Sequence, residues 1–153
     1  MRSDNLLLNK HGVLKLGAFW YYLPMSFGFL TNIYISGIAD FSNAVQVRES
    51  SMRDDIVGVA FWQAPEVRRP PYDALKVDIW SLGATVWEMA QQDPPFADTQ
   101  QLAERWPPLR QPELFSPAFH DFLRKCSEPA AVRPSPGEML KVCISYLFYE
   151  NCF

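Results

Sequence analysis

Charge is missing from one long stretch of this sequence. From Gly17 to Ala39 the chain reads GAFWYYLPMSFGFLTNIYISGIA, without a single Lys, Arg, Asp, Glu or His. Cysteine is scarce as well. Cys126, Cys143 and Cys152 are odd in number and lack metal-ligand spacing, so they read as free thiols of a reducing compartment. There is no basic run and the net charge is only -3, which excludes a nucleic-acid footprint. The opening RSDNLLLNKHG has no apolar core of the kind a signal peptide needs. Internal repeats and low-complexity segments are also absent.

What remains is the composition of a globular domain. Of 153 residues, 48% are hydrophobic and 20% charged, enough for one real core. Proline is plentiful at 13, clustered after position 93 as DPPF, WPPL, QPEL, SPAF, EPA and RPSP. Each proline can start or stop a helix, so the C-terminal half is expected to be short helices joined by turns. The opening NLLL-NKHG-VLKL places two apolar runs around four turn formers and predicts a β-hairpin, with Gly12 free to take φ > 0. DALKVDIWSLGATVWEMAQQ predicts the main helix. Its Val77, Ile79, Trp80, Leu82, Val86, Trp87 and Met89 wrap most of the way round, which implies a central, buried helix. Asp78 lies within that apolar surface and is expected to be buried and to accept hydrogen bonds. TQQLAERW and PAFHDFLRKCS predict shorter amphipathic helices. SPGEML carries a capping box, with Ser135 as N-cap, Pro136 in the first helical position and Glu138 three beyond the cap.

Taken in order, SDNLLLNKHGVLKL, ADF, GVAFWQAPEV, KVDIWSLGATVWEMAQQDPPF and RPSPGEML resemble the C-lobe of a eukaryotic protein kinase, of the sterile-20 serine/threonine type. The resemblance spans roughly 1–16 and 38–141. It implies a mainly α fold with an N-terminal β-hairpin and no N-lobe. It implies phosphoryl transfer from ATP to protein hydroxyls, with Mg2+ as the metal, a protein substrate or docking partner and a cytoplasmic setting. Asn5 matches the magnesium-binding Asn of H-R-D-x-x-x-x-N and Asp40 the magnesium-binding acid of D-F-G. An amide and a carboxylate oxygen suit that hard cation. Counting back from Asn5 puts the catalytic Asp just before Met1, so no catalytic residue is assigned. The activation segment runs from Asp40 to Glu66. By the same resemblance Gly58 to Glu66, with Gly58, Val59 and Trp62 among them, would line the peptide side, and Ser50 and Ser51, near Arg48 and Arg53, form a candidate phosphate site. Glu66 of Ala-Pro-Glu and Arg133 match a structural ion pair. Asp78 matches the acid that receives catalytic-loop N–H groups. DPPF matches a turn close to substrate-docking surfaces, or is a plain proline turn.

Three departures bear on activity. Ser42 replaces the Gly of D-F-G, Val59 replaces a Thr whose hydroxyl touches the catalytic Asp, and no Gly-rich loop or β3 Lys occurs in the sequence. A chain of these residues is therefore expected to be inactive and to hold ATP and Mg2+ poorly. A pseudokinase or docking module is the alternative. Removing 17–37 leaves VLKL-IADFSNAV, an uninterrupted kinase-like sequence. A membrane span needs about 20 apolar residues, and this stretch is long enough. Pro24, Gly28, Thr31 and Asn32, with no flanking charge pattern, argue against one. So does the need for the hairpin and main helix to pack together. The favoured reading is translated non-coding sequence, a retained intron. The tail 142–153, VCISYLFYENCF, also departs from the family, and Val142-Cys143 can be encoded by GTATGT, a common donor splice sequence.

Overall fold

The computed structural model describes residues 2–16, 45–46, 51–97 and 105–142. The uncharged insertion, Asp40, Ser50, most of TQQLAERW and the tail beyond Val142 lie outside the described residues. The described fold is mainly helical with short antiparallel strand pairs. The chain divides into two compact units, residues 4–44 and residues 1–3 with 45–153.

The smaller unit carries the hairpin. Strand β1 (Leu6–Leu8) pairs antiparallel with β2 (Leu14–Leu16) in the register Leu6↔Leu16, Leu7↔Lys15, Leu8↔Leu14. The turn is closed from within. The Asn9 carboxamide oxygen accepts from His11 N at 2.9 Å and from Val13 N at 2.8 Å, an Asx device that mimics backbone. Gly12 takes φ +77, as the turn requires.

In the larger unit, β3 (Met52–Arg53) pairs with β4 (Tyr72–Asp73), which runs directly into helix α1 (Ala74–Gln91). Asp73 caps α1 by accepting from Leu75 N at 2.9 Å and Lys76 N at 3.4 Å. Helix α2 (Pro117–Cys126) starts on a Ser116 cap with Pro117 in the first position. Residues 136–142 are helical and are called α3. Two apolar clusters flank α1. One joins Trp62, Ala64, Val67, Tyr72, Trp80 and Ala84, and the other joins Ile79, Cys126 and Met139. Trp106 packs against both, its ring 5.0 Å from that of Trp80. Val142, assigned to the tail on sequence, lies on α3 and packs against the second cluster.

The main helix is buried on fewer sides than its composition implies. Ile79, Trp80, Gly83, Ala84 and Trp87 are buried, whereas Leu82 and Val86 are half-buried and Met89 is 60% exposed. Asp78, Leu82, Val86 and Met89 follow one another at helical spacing and make the open stripe. Asp78 is therefore exposed, contrary to the expected burial.

The capping box forms as the sequence predicts. Ser135 N and Oγ both donate to Glu138 Oε2 at 2.8 Å, and Glu138 N donates back to Ser135 Oγ at 3.4 Å. The backbone hydrogen bond from Ser135, then its hydroxyl, holds the Glu138 carboxyl below its ordinary value of 4.5. A lowered folded pKa means stability that is present above the unfolded value and is lost as pH falls through the folded one. Glu138→Ala should therefore lower the melting temperature at pH 7. The gap should shrink once pH drops below the ordinary glutamate value. Thermal melts of both chains across acid pH check this; a gap constant down to strong acid would contradict it.

Candidate functional site

The segment from Ser51 to Glu66 is tied to the base and flank of α1. Ala74 N donates to Ser51 O at 3.2 Å, continuing the β3–β4 pairing into the helix. Asp55 is the local hub. Arg53 Nε donates to its Oδ1 at 2.7 Å, a second guanidinium N–H meets Oδ2, and the Tyr72 hydroxyl donates to the Asp55 carbonyl at 2.6 Å. The hydrogen bond from Arg53 lowers the Asp55 pKa, while burial raises that of Tyr72. Gln63 Nε2 holds Val57 O at 2.8 Å. Between these ties, Gly58, Val59 and Ala60 form an exposed ledge, and Gly58 sits at φ +95, where a side chain would be strained.

Trp62 anchors the ledge. It is 7% exposed, so its indole N–H needs a partner, and Glu88 Oε2 accepts it at 2.9 Å. Ser81 Oγ, two turns earlier on α1, donates to Trp62 O at 2.9 Å. The same Glu88 oxygen accepts Ser3 N at 3.1 Å, and the Arg2 guanidinium lies 5.2 Å over the Trp62 ring.

Below the ledge, Glu66 meets Arg133. Arg133 Nη2 donates to Glu66 Oε2 at 3.2 Å and Nη1 donates to Oε1, a two-point pair. The remaining guanidinium bonds go to backbone carbonyls, Nη1 to Lys76 O at 3.1 Å and Nε to Glu128 O at 2.9 Å. The charge also lies 5.1 Å over the Trp80 ring. Lys76 Nζ reaches Ala130 O at 2.9 Å and so fixes the turn that delivers Arg133. Arg133 is 2% exposed and fully engaged.

The residues singled out on sequence fall into distinct places. Gly58, Val59, Trp62, Glu66 and Arg133 gather on one side of α1. Asn5 is half-buried at the end of the turn Ser3–Asn5, immediately before β1. Its intended partner Asp40 lies outside the described residues, as does Ser50; Ser51 is half-buried and its carbonyl is used by the β4–α1 junction. Among the described residues no hydrogen-bond donor meets the Asp78 carboxylate. Crowding by surrounding protein raises its pKa despite the exposure of the residue as a whole, and Arg53 opposes that shift. At the DPPF turn, Trp87, Pro94, Phe96 and Pro107 line a small cleft bordered by an Arg110–Asp93 ion pair of 2.8 Å. Glu88 escapes the sequence reading. Its one signal is being the only acid in an otherwise neutral run from Ile79 to Gln92.

The described residues thus make a helical unit organised around an apolar helix, with an exposed ledge and a buried Glu–Arg pair beside it. The protein kinase domain family matches residues 30–143, and the chain belongs to that family. Its relatives are serine/threonine kinases. The chain is 33% identical over 150 residues to serine/threonine-protein kinase pakC of Dictyostelium discoideum, covering 92% of this chain and 27% of that protein. It is 34% identical over 151 residues to shk1/pak1 of Schizosaccharomyces pombe, covering 92% of this chain and 20% of that protein. With serine/threonine-protein kinase 4 homolog A of Dictyostelium discoideum it shares 38% identity over 117 residues, 69% of this chain and 25% of that protein. The chain thus spans about a quarter or less of the length of these relatives. Among the described residues no helix is long and apolar enough to cross a membrane.

Proposed function

We propose that this chain is the substrate-facing part of a serine/threonine protein kinase whose intact form phosphorylates protein hydroxyls. The observation that carries the reading is the exposed ledge at Gly58–Ala60. It is held on one side by the Gln63–Val57 bond and on the other by Trp62, which is bonded to α1, and by the Glu66–Arg133 pair. An extended peptide needs such a rigid, solvent-open edge, because phosphoryl transfer depends on positioning. Asn5 and Asp40 would hold magnesium. An amide and a carboxylate oxygen are the donor chemistry of a hard cation, and the half-buried Asn5 sits in a turn that restricts it. When bound, Mg-ATP supplies the phosphoryl group. The protein's part is to hold the metal through those oxygens and the acceptor peptide along the ledge. Protein substrates and a cytoplasmic setting follow from this reading.

A chain of these 153 residues should nonetheless show no turnover. It contains no Gly-rich loop and no β3 Lys, and single electrostatic contacts of that kind are worth about 10²–10³ in rate each. The test is a radiolabelled ATP assay with a generic protein substrate, run beside Asp40→Ala. Equal, background-level counts are expected. Turnover above the Asp40→Ala control would overturn the inactivity and leave the kinase reading standing.

One observation favours a non-catalytic docking role. Val59 lies on the ledge, 46% exposed, where a hydroxyl-bearing Thr would serve catalysis. We infer that the insertion 17–37 is a retained intron. Transcript sequencing tests this, and uninterrupted reads through both junctions in mature message would contradict it.

A further inference from the structure

Asp55 has a place in the fold that the kinase reading leaves unassigned. Activation segments are commonly ordered by a phosphate that is added after synthesis and paired with arginine. Here Arg53, the described arginine of the candidate phosphate site, is already engaged. Its Nε donates to Asp55 Oδ1 at 2.7 Å and its Nη2 donates to Oδ2, so one whole edge of the guanidinium faces a carboxylate. Arginine takes phosphate with the same two-point geometry. An ion pair between open side chains contributes little. These two side chains are only 21% and 40% exposed, and the Asp55 backbone is fixed as well. Tyr72, 2% exposed, donates to the Asp55 carbonyl at 2.6 Å, and its hydroxyl also reaches Oδ1 at 3.4 Å. Tyr72 is the cross-strand partner of Arg53 in the β3–β4 pair. Acid, arginine and tyrosine therefore close a clip over the two strands. Asp54, one residue away and of the same charge, is exposed.

We propose that Asp55 is a permanent stand-in for a switch phosphate: its carboxylate, held by Arg53 and Tyr72, orders the part of the activation segment that leads to the ledge, with no modification needed. This rests on the kinase reading, which makes 40–66 an activation segment; the clip itself is geometry. A phosphoseryl group carries a charge of about −1.5 to −2 and three acceptor oxygens, and a guanidinium edge orders it. A carboxylate brings one charge and two oxygens, enough for one arginine. Unlike a phosphate, it cannot be removed. The segment from Ser51 to Gly58 is therefore held in its ordered state at all times, and no enzyme that adds or removes phosphate at this position can set it. Gly58 follows Asp55 by three residues, and Gln63 takes hold at Val57 between them, so the order reaches the ledge.

The experiment uses the full chain labelled with 15N and reads hydrogen exchange at two sites by NMR. These are the Arg53 Nε–H, assigned with Arg53→Lys, and the Ala74 amide, which donates to Ser51 O at 3.2 Å. Asp55→Asn should speed exchange at both by about tenfold or more, the scale of one lost hydrogen bond to a charged group. Asp54→Asn makes the same change in net charge and should leave both within about threefold of wild type. Asp55→Ser should exchange as fast as Asp55→Asn. Phosphoserine installed at position 55 during synthesis should bring both sites back to within about threefold of wild type. The indole of Trp87, on α1 and bonded to Pro107 O at 3.0 Å, serves as the control and should not change. Wild-type exchange at Arg53 or Ala74 in Asp55→Asn would overturn the proposal. So would fast exchange with phosphoserine in place, equal acceleration by Asp54→Asn, or equal acceleration at Trp87, which would mean general loosening. If Asp55→Asn does not fold, the phosphoserine chain decides alone: protection at both sites supports the proposal, and tenfold acceleration overturns it. The ATP assay bears on the kinase reading and not on these rates, whereas failure here would sink the clip and leave that reading standing.

Discussion

Arg133→Ala should destabilise the larger unit by about 3–5 kcal/mol, the usual penalty for removing one partner of a buried ion pair. The guanidinium is 2% exposed and satisfies four acceptors: both Glu66 oxygens and the carbonyls of Lys76 and Glu128. Truncation leaves a carboxylate whose side chain is only 17% exposed without its cation, and takes the guanidinium donor from the carbonyls of Lys76 and Glu128. It also removes the charge from the Trp80 face. Arg133→Lys should recover little of the loss, because a single ammonium cannot reach a two-point carboxylate and two carbonyls at once. Urea unfolding followed by tryptophan fluorescence measures the difference. A loss below about 1 kcal/mol would mean the pair behaves like a surface one. Because Glu66 closes the segment that carries Gly58–Ala60, the same variant should loosen the ledge before the rest of the unit.

Gly83→Ala should cost about 2 kcal/mol net, even though Ala is the better helix former. An added Cβ would stand 2.3 Å from Trp106 Cη2 and 2.4 Å from Cys126 Cβ. Neither neighbour can yield easily. The first is a rigid ring wedged against Trp80, and the second is fixed to the backbone of α2. Overpacking of this kind costs about 1–3 kcal/mol, here at the upper end. The helix-propensity gain of about 1 kcal/mol offsets only part of it. Thermal unfolding of Gly83→Ala beside an exposed-face control such as Met89→Ala checks the argument. Equal stability of the Gly83→Ala chain and wild type would show that α1 and α2 can move apart without loss.

Much of this architecture is written in local sequence, because local rules suffice for it. Two apolar runs around NKHG make the β1–β2 hairpin, and the φ of Gly12 follows from the tight turn. The apolar pattern of 74–91 makes α1, and Ser135, Pro136 and Glu138 make the start of α3, because caps and helical periodicity depend only on residues three or four apart. The family is legible too, since its motifs keep their order along the chain. What tertiary structure alone decides is which side of a helix meets what. Composition makes α1 look buried most of the way round, yet the chain that packs on it covers Ile79, Trp80 and Trp87 and leaves Asp78 and Met89 open. Gly83 is an ordinary helix glycine on paper; only the approach of Trp106 and Cys126 leaves no room there for a side chain. Glu88 reads as a surface acid until Ser3 and Trp62, far apart in the chain, arrive at the same oxygen. Periodicity reports how apolar a face is, but the partner that occupies the face comes from distant sequence, and burial belongs to the pair rather than to either residue.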